Sequence, residues 1–199
     1  KQGSTLTTMS AMKNIVAKAE VEESFEKEVA IYDLNEFLAS LSLFKSPVLE
    51  FDESFVTIKE ENTTTSLKYF YSDPSVVTTP SKTIKMPSKE VTFALKGEDL
   101  TKLKRAAGVI GAPDLVLEKK DTGSFLTVKD KKNDTANTFS LDVTTTSEGN
   151  FNCFFTVENL KVMDGNYDVE ISSKNISHLS SSNKDVEYWV ALEPESTYE

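Results

Sequence analysis

Short runs in which apolar or β-branched residues alternate with polar ones recur along this chain of 199 residues. Side chains of a β-strand point alternately to its two faces, so each run predicts a strand with one buried and one exposed face. The predicted strands are Thr5–Met9, Asn14–Val21, Glu28–Tyr32, Val48–Phe51, Ser54–Lys59, Ser66–Tyr71, Glu90–Leu95, Asp114–Lys120, Ser124–Lys129, Thr138–Val143, Phe151–Phe155, Tyr167–Ser172 and Val186–Leu192. With 7 glycines and 6 prolines, the composition is that of a globular chain rather than a disordered or fibrous one.

A proline-rich segment separates two groups of predicted strands. Pro74, Pro80 and Pro87 fall within it, and few large apolar residues accompany them. Proline lacks a backbone N–H and fixes φ, so the segment predicts an extended connector. On both sides of it, a predicted strand leads into a helix and then into further strands. The sequence therefore predicts two similar domains in tandem, at 1–72 and 89–199, joined by a connector at 73–88.

Three segments repeat their apolar residues with the period of a helix. They are Asp33–Phe44, Gly97–Val109 and Thr156–Met163. Asp33 is a residue type that caps helix N-termini, whereas Gly111 and Pro113 follow the second segment and favour a helix end. Many strands with a few short helices predict an α+β fold.

The only tight basic cluster of the sequence lies on the second predicted helix. On a helical wheel, Lys102 and Arg105 lie opposite the apolar face, and Lys104 flanks them. Lys161 extends from the third predicted helix. Cations on flexible side chains suit the recognition of phosphates without base specificity. The net charge is −10, so from composition alone a solvated helix face is the commoner explanation of the same pattern.

The residues of familiar catalytic and metal sites are scarce. His178 is the only histidine and Cys153 the only cysteine, which argues against His-based triads and zinc sites. We expect His178 in an exposed loop and Cys153 as a buried structural thiol. The run 108–111 lacks the Lys-Ser/Thr pair of a phosphate-binding loop. We therefore predict no enzymatic activity, no cofactor and no metal, with a carboxylate-dependent hydrolase as an alternative for which no pair of acids is singled out.

Neither a membrane span nor a secretory signal is predicted. No run approaches 18 consecutive apolar residues. The first residues show no basic stretch followed by an apolar one. We expect no membrane association.

Two segments closely resemble the DNA polymerase sliding clamps (processivity factors) of T-even-type and related marine bacteriophages. They are the run 29–38, Val-Ala-Ile-Tyr-Asp-Leu-Asn-Glu-Phe-Leu, and the C-terminal run 188–197. Between them, the shorter runs 73–77, 98–100 and 165–167 follow in the family's order, so the resemblance spans essentially the whole chain. Family members carry a further strand and helix before the part that matches Gly3–Met9. We therefore expect an N-terminally truncated chain.

This resemblance implies a DNA-clamp fold, in which two tandem similar domains carry antiparallel sheets outside and short helices inside. It implies a homotrimer that closes as a toroid around duplex DNA and binds it independently of sequence. The expected role is DNA replication in the cytoplasm of the infected bacterial host. DNA polymerase, the clamp loader and late-transcription factors are the expected protein partners. A non-encircling phage adaptor or scaffold protein with the same fold is the alternative.

The resemblance also implies three functional surfaces. Helices inside the ring would turn Lys102, Lys104, Arg105 and Lys161 toward DNA. Subunits would join through edge strands, whose matching residues are Ser66, Leu67, Lys68, Tyr69, Phe70 and Tyr71 with Thr138, Phe139, Ser140, Leu141, Asp142 and Val143. The partner-peptide groove matches Met12, Ile15, Val16, Val76, Val77, Trp189, Val190, Leu192 and Pro194. For each groove residue, packing in the core is the alternative.

Overall fold

The computed structural model describes residues 2–80, 83–147 and 149–199. In this part of the chain the helices are α1 (Leu34–Leu41) and α2 (Gly97–Ile110). The strands are β1 (Gly3–Met9), β2 (Ile15–Phe25), β3 (Pro47–Phe51), β4 (Phe55–Glu60), β5 (Ser66–Phe70), β6 (Val91–Leu95), β7 (Asp114–Lys120), β8 (Gly123–Lys129), β9 (Phe139–Val143), β10 (Phe151–Thr156), β11 (Tyr167–Ser172), β12 (Ile176–Ser181), β13 (Val186–Ala191) and β14 (Thr197–Tyr198). Short 3-10 turns cover Pro74–Val76 and Val157–Asn159.

The strands form three sheets. A six-stranded sheet has the order β1-β2-β13-β12-β11-β6, a five-stranded sheet the order β14-β10-β7-β8-β9, and a three-stranded sheet the order β3-β4-β5. Each strand pair with a described register is antiparallel. The strand-rich α+β prediction is confirmed.

The chain divides into two compact units. Unit 1 consists of Glu22–Thr79 and the start of β1, and unit 2 of Leu6–Val21 and Pro80–Glu199. The sequence places 6–21 in the first domain, whereas in the structure this segment belongs to unit 2. The reason is strand pairing: β13 pairs antiparallel with β2, with Trp189 opposite Val16 and Val186 opposite Ala19.

The core of unit 2 lies between α2 and strands of its two sheets. Leu100, Leu103 and Ala107 of α2 are buried there, and they share a face because they are spaced by three and four residues. The helix ends at Gly111, which has a φ of 67°, a left-handed conformation that glycine adopts without strain. The predicted helix and its end are confirmed.

Unit 1 has a smaller core. Val56 and Ile58 of β4 are fully buried, and Phe37 of α1 packs against Tyr69 of β5 with ring centroids 5.1 Å apart. Asp33 caps α1 as predicted, because its Oδ1 accepts a hydrogen bond from the backbone N–H of Glu36 at 3.0 Å. None of the described helices has the length and apolar character needed to cross a membrane.

Two predicted elements are wrong. Residues 28–32 do not form a strand. They have no ladder partner among the residues that the structure describes, and their backbone hydrogen bond to another segment runs from Ser72 N to Ala30 O. The segment 156–163 is not a helix beyond its single 3-10 turn. Leu160 and Val162 are buried while Lys161 is exposed, which is the period-two pattern of an extended chain.

Candidate nucleic-acid interface

The outward face of α2 carries the predicted cationic stripe. Lys102 and Arg105 are exposed, opposite the buried Leu103 and Ala107. They are three residues apart and therefore neighbours on the helix surface. The helical wheel predicted this orientation correctly. The cations of α2 nevertheless differ in the acidic and backbone groups that surround them.

Lys102 is held by acidic residues of its own helix. Its Nζ lies 3.6 Å from Asp99 Oδ1 and 4.0 Å from Glu98 Oε2. Lys102 and Glu98 are exposed and Asp99 is partly buried, and ion pairs near the surface contribute little stability and exchange readily. A phosphate can therefore compete for the Lys102 ammonium at low cost.

Arg105 has no ion-pair or hydrogen-bond partner within the described ranges. Its guanidinium presents several N–H donors in one plane, a geometry that matches two phosphate oxygens. Of the three cations on α2, Arg105 is the one most available to an anion.

Lys104 has a different role from its neighbours. Its Nζ donates to the backbone carbonyl of Val162 at 2.9 Å and lies 4.0 Å from Asp164 Oδ1. The side chain is partly buried. Lys104 therefore ties α2 to the segment that follows β10, and it has less freedom to reach a phosphate than Arg105.

Lys161 is exposed on that same segment, between the buried Leu160 and Val162. It does not project from a helix, as the sequence predicted, but from extended backbone. The tie through Lys104 Nζ to Val162 O brings the residue next to Lys161 into contact with α2. The segment that carries Lys161 is thus adjacent to α2.

The nine predicted groove residues differ in their exposure. Val16, Trp189, Val190 and Leu192 are buried in unit 2, so they pack within the fold. Met12 is 82% exposed at the turn between β1 and β2, and Pro194 is also exposed. Ile15 is partly buried in unit 2; in unit 1, Val76 is exposed and Val77 partly buried.

Both predicted subunit-interface segments are edge strands. β5 ends the three-stranded sheet and β9 ends the five-stranded sheet. Thr138 and Tyr71 lie just outside these strands. An edge strand presents unpaired backbone groups that another chain can use. The pairing of these two strands between copies stays a prediction.

His178 is not in an exposed loop, so that prediction is wrong. It lies on β12, where its ring stacks on Trp189 with centroids 4.8 Å apart. Its Nε2 lies 2.9 Å from Glu187 Oε2, and its Nδ1 lies 3.6 Å from Glu170 Oε2. The sequence pattern did not predict this strand, because the consecutive serines Ser180, Ser181 and Ser182 are typical of a loop.

The Cys153 thiol is fully buried, and burial raises its pKa to about 12. A thiol that stays protonated is a poor nucleophile and metal ligand. In the part of the chain that the structure describes, no group of three or more His, Cys, Asp or Glu side chains is arranged to hold a metal ion.

Comparison with known proteins identifies the family. The family model described as "gp45 sliding clamp, C terminal" matches residues 92–194, just over half of the chain. The sliding clamp of Vibrio phage KVP40 is 32% identical over 197 residues, which cover 96% of this chain and 88% of that protein. The sliding clamp of Escherichia phage RB69 is 28% identical over 205 residues, covering 100% of this chain and 89% of that protein. The sliding clamp of Enterobacteria phage T4 is also 28% identical, with 100% of this chain and 90% of that protein covered.

Solved structures support the same fold. A. fulgidus PCNA bound to the C-terminal region of FEN-1 superposes with a TM-score of 0.69 at 16% identity, covering 99% of this chain and 88% of that chain. The proliferating cellular nuclear antigen of Entamoeba histolytica gives a TM-score of 0.64 at 13% identity, covering 96% and 86%. The clamp fold is thereby confirmed. Together with the identity to phage proteins over nearly the whole chain, these matches show that the chain belongs to the sliding clamp family.

Proposed function

We propose that this sliding clamp encircles duplex DNA as a closed ring of three copies and tethers the replicative DNA polymerase for processive synthesis. The observation that carries the proposal is the 32% identity to the sliding clamp of Vibrio phage KVP40 over 96% of this chain. The protein acts without catalysis of its own, since topology rather than chemistry holds it on DNA. Its site of action is the cytoplasm of the infected bacterium, where a clamp loader opens the ring and late-transcription factors are further partners.

Within the subunit, we propose domains at 1–72 and 89–199, joined by a connector at 73–88. In this division the first half of β2 contributes to the sheet of the second domain. Three copies then supply six domains to the ring.

The charge distribution supports a DNA path along α2. The chain carries a net charge of −10, so most of its surface repels a polyanion. Lys102 and Arg105 place two cations on an exposed helix face, and Arg105 there has no acidic partner among the described residues. Exposed cations that bind phosphates without base contacts give weak, salt-sensitive and sequence-independent attraction. A ring that must slide needs attraction of this kind.

Partner peptides, in this proposal, contact those predicted groove residues that are exposed. Met12 and Val76 are exposed by 82% and 53%, and Pro194 is exposed beside the C-terminal strand. Val16, Val190 and Leu192 are buried in unit 2 and pack within its fold instead of contacting a peptide.

Retention on DNA tests the ring directly. The clamp is loaded by the phage loader onto a nicked circular duplex, and the DNA is then cut with a restriction enzyme. A closed ring stays on the circle in high salt and leaves once the ends are free. Salt-sensitive binding that is equal on circular and linear DNA would contradict encirclement and favour the adaptor alternative.

A further inference from the structure

We infer that the edge of β10 is a docking site for an extended peptide of a partner protein, which takes the place of the chain's own C-terminal tail (193–199). The peptide that fits this edge carries an acidic residue for Lys131 and an aromatic residue in the position of Tyr198. This inference goes beyond the proposed ring and groove, because it concerns backbone pairing with β10 and does not require that the chain assembles.

The tail lies along β10 as an incomplete strand. Its strand β14 has two residues, with Tyr198 opposite Phe151 and Thr197 opposite Asn152. On its other side, β10 pairs with β7 over five residues. Segments with few backbone pairs at the end of a sheet open locally while the rest of the sheet stays folded. The tail can therefore leave β10 without disrupting the pairing of β10 with β7.

At Phe154, the tail fills the edge with a side chain where a regular strand would use its backbone. The Phe154 N–H donates to Ser196 Oγ at 3.0 Å, and the Phe154 carbonyl accepts from the Glu193 N–H at 2.8 Å. An added peptide strand can satisfy both groups with its own backbone. The edge of β10 thus accepts a strand that its present occupant only partly provides.

Lys131 gives the edge its preference for an acidic peptide. Its Nζ lies 2.5 Å from Glu195 Oε1, 3.8 Å from Glu193 Oε2 and 3.5 Å from Asp114 Oδ1, and its side chain is 17% exposed. Two of these three carboxylates leave with the tail. Because a largely buried ammonium is stable only with opposite charge beside it, a partner that displaces the tail has to replace at least one of them.

Tyr198 gives the edge its preference for an aromatic residue. Its ring packs against the core of unit 2, and its hydroxyl lies beside the fully buried thiol of Cys153. Departure of the tail uncovers this apolar surface, and an aromatic side chain of the partner would cover it again.

Amide hydrogen exchange of the parent chain tests whether the tail separates. The Phe154 N–H points to the tail, so the neighbouring Cys153 N–H points to β7. If the tail opens locally, the Phe154 amide should exchange at least about 10-fold faster than the Cys153 amide. Equal rates would mean that the tail opens only with the sheet, which would overturn the inference.

Peptide binding tests the occupant. The probe is a fluorescein-labelled peptide with the sequence of 193–199, Glu-Pro-Glu-Ser-Thr-Tyr-Glu. It should bind the Tyr198→Ala clamp on the order of 10-fold more tightly than the parent, because the tail of that variant competes less for the edge. Fluorescence anisotropy measures the affinity, and circular dichroism melting verifies that each variant is folded.

A lysine pair provides the matched control. In the Tyr198→Ala background, Lys131→Met should weaken peptide binding by about 5-fold. Lys96→Met makes the same change at an exposed site of unit 2 before α2 and should leave binding unaltered. The same peptide with glutamine in place of Glu195 should lose affinity for the Tyr198→Ala clamp but not for its Lys131→Met derivative.

The outcomes decide the site independently of the ring. Absent binding to the Tyr198→Ala clamp, or equal binding to the Lys131→Met and Lys96→Met derivatives, would refute a docking site at β10. Binding to the parent that weakens as the clamp concentration rises would assign the edge to the tail of a second copy instead of a partner protein. None of these results depends on encirclement of DNA, which the retention assay tests separately.

Discussion

The two α-helices in the described part of this clamp differ in which side chains they bury and which they expose. α2 has 14 residues, three of them buried, and its outer face carries Lys102 and Arg105. α1 has 8 residues, none of them buried, and no basic side chain. It exposes Leu34 and Leu38 by 58% and 52%. The two helices therefore have different roles: α2 supplies three fully buried core residues and a cationic face, whereas α1 has no fully buried residue and no basic side chain.

Reversing the charge of the α2 face should have the largest effect. Lys102→Glu combined with Arg105→Glu is expected to lower processive synthesis on the order of 10-fold or more, because phosphate attraction becomes repulsion. The melting temperature should hardly change, since both side chains are exposed. Primer extension on a long template measures the effect.

The matched control for that variant is Lys132→Glu with Lys174→Glu, which makes the same charge change at exposed sites of unit 2 away from α2. It should keep normal processivity. Equal loss in both double variants would mean that net charge, rather than the α2 face, controls the activity.

Replacing a leucine by alanine should lower the free energy of unfolding more in α2 than in α1. Leu103→Ala removes a side chain that is 2% exposed and is expected to lower the free energy of unfolding by about 3 kcal/mol. Leu38→Ala on α1 removes a half-exposed side chain and should change it by less than about 1 kcal/mol. Urea denaturation followed by circular dichroism measures both. Similar losses would show that α1 is as firmly packed as α2.

Replacing Lys104 should lower the free energy of unfolding slightly more than replacing Lys102. Lys104→Met breaks the hydrogen bond to the Val162 carbonyl and is expected to cost about 1 kcal/mol. Lys102→Met loses only exposed ion pairs and should cost less than about 0.5 kcal/mol. Hydrogen exchange at 160–164 provides a local readout: protection there should fall in Lys104→Met alone.

Acid should destabilise unit 2 in part by protonating the carboxylate of Glu90. Burial alone would raise the pKa of Glu90, but hydrogen bonds from the Ser173 backbone and from the Ser88 and Ser173 hydroxyls lower it below its ordinary value of 4.5. A depressed folded-state pKa gives stability that is present above about pH 4.5 and is lost as pH falls through the folded pKa. Glu90→Gln should therefore flatten this acid loss slightly. An unchanged pH profile would contradict the assignment.

Local sequence patterns predicted α2 better than the segments whose structure depends on distant partners. Gly111 and Pro113 marked the end of α2, and its apolar spacing identified Leu103 and Ala107 correctly. The strand pattern at 28–32 failed because local alternation carries no information about whether a partner strand lies alongside. β12 was not predicted, because its serines do not favour a strand locally. Pairing with β11 and β13 on both sides keeps this segment extended.

The candidate DNA face was predictable in position but not in detail. A helical wheel places Lys102 and Arg105 outward, yet it cannot show that Lys104 reaches a carbonyl 58 residues away in sequence. Lys161 was assigned to a helix because Val157, Leu160 and Met163 repeat every three residues. The buried Val162 shows that the extended pattern prevails after Leu160.

Site-specific crosslinking tests the α2 face most directly. A photoreactive group is attached to Arg105→Cys or, as a control, to Lys132→Cys, and each clamp is loaded onto circular duplex DNA. We expect crosslinks to DNA from position 105 and background levels from position 132. Crosslinking from position 132 but not from position 105, in a clamp that still stimulates its polymerase, would contradict a DNA path along α2.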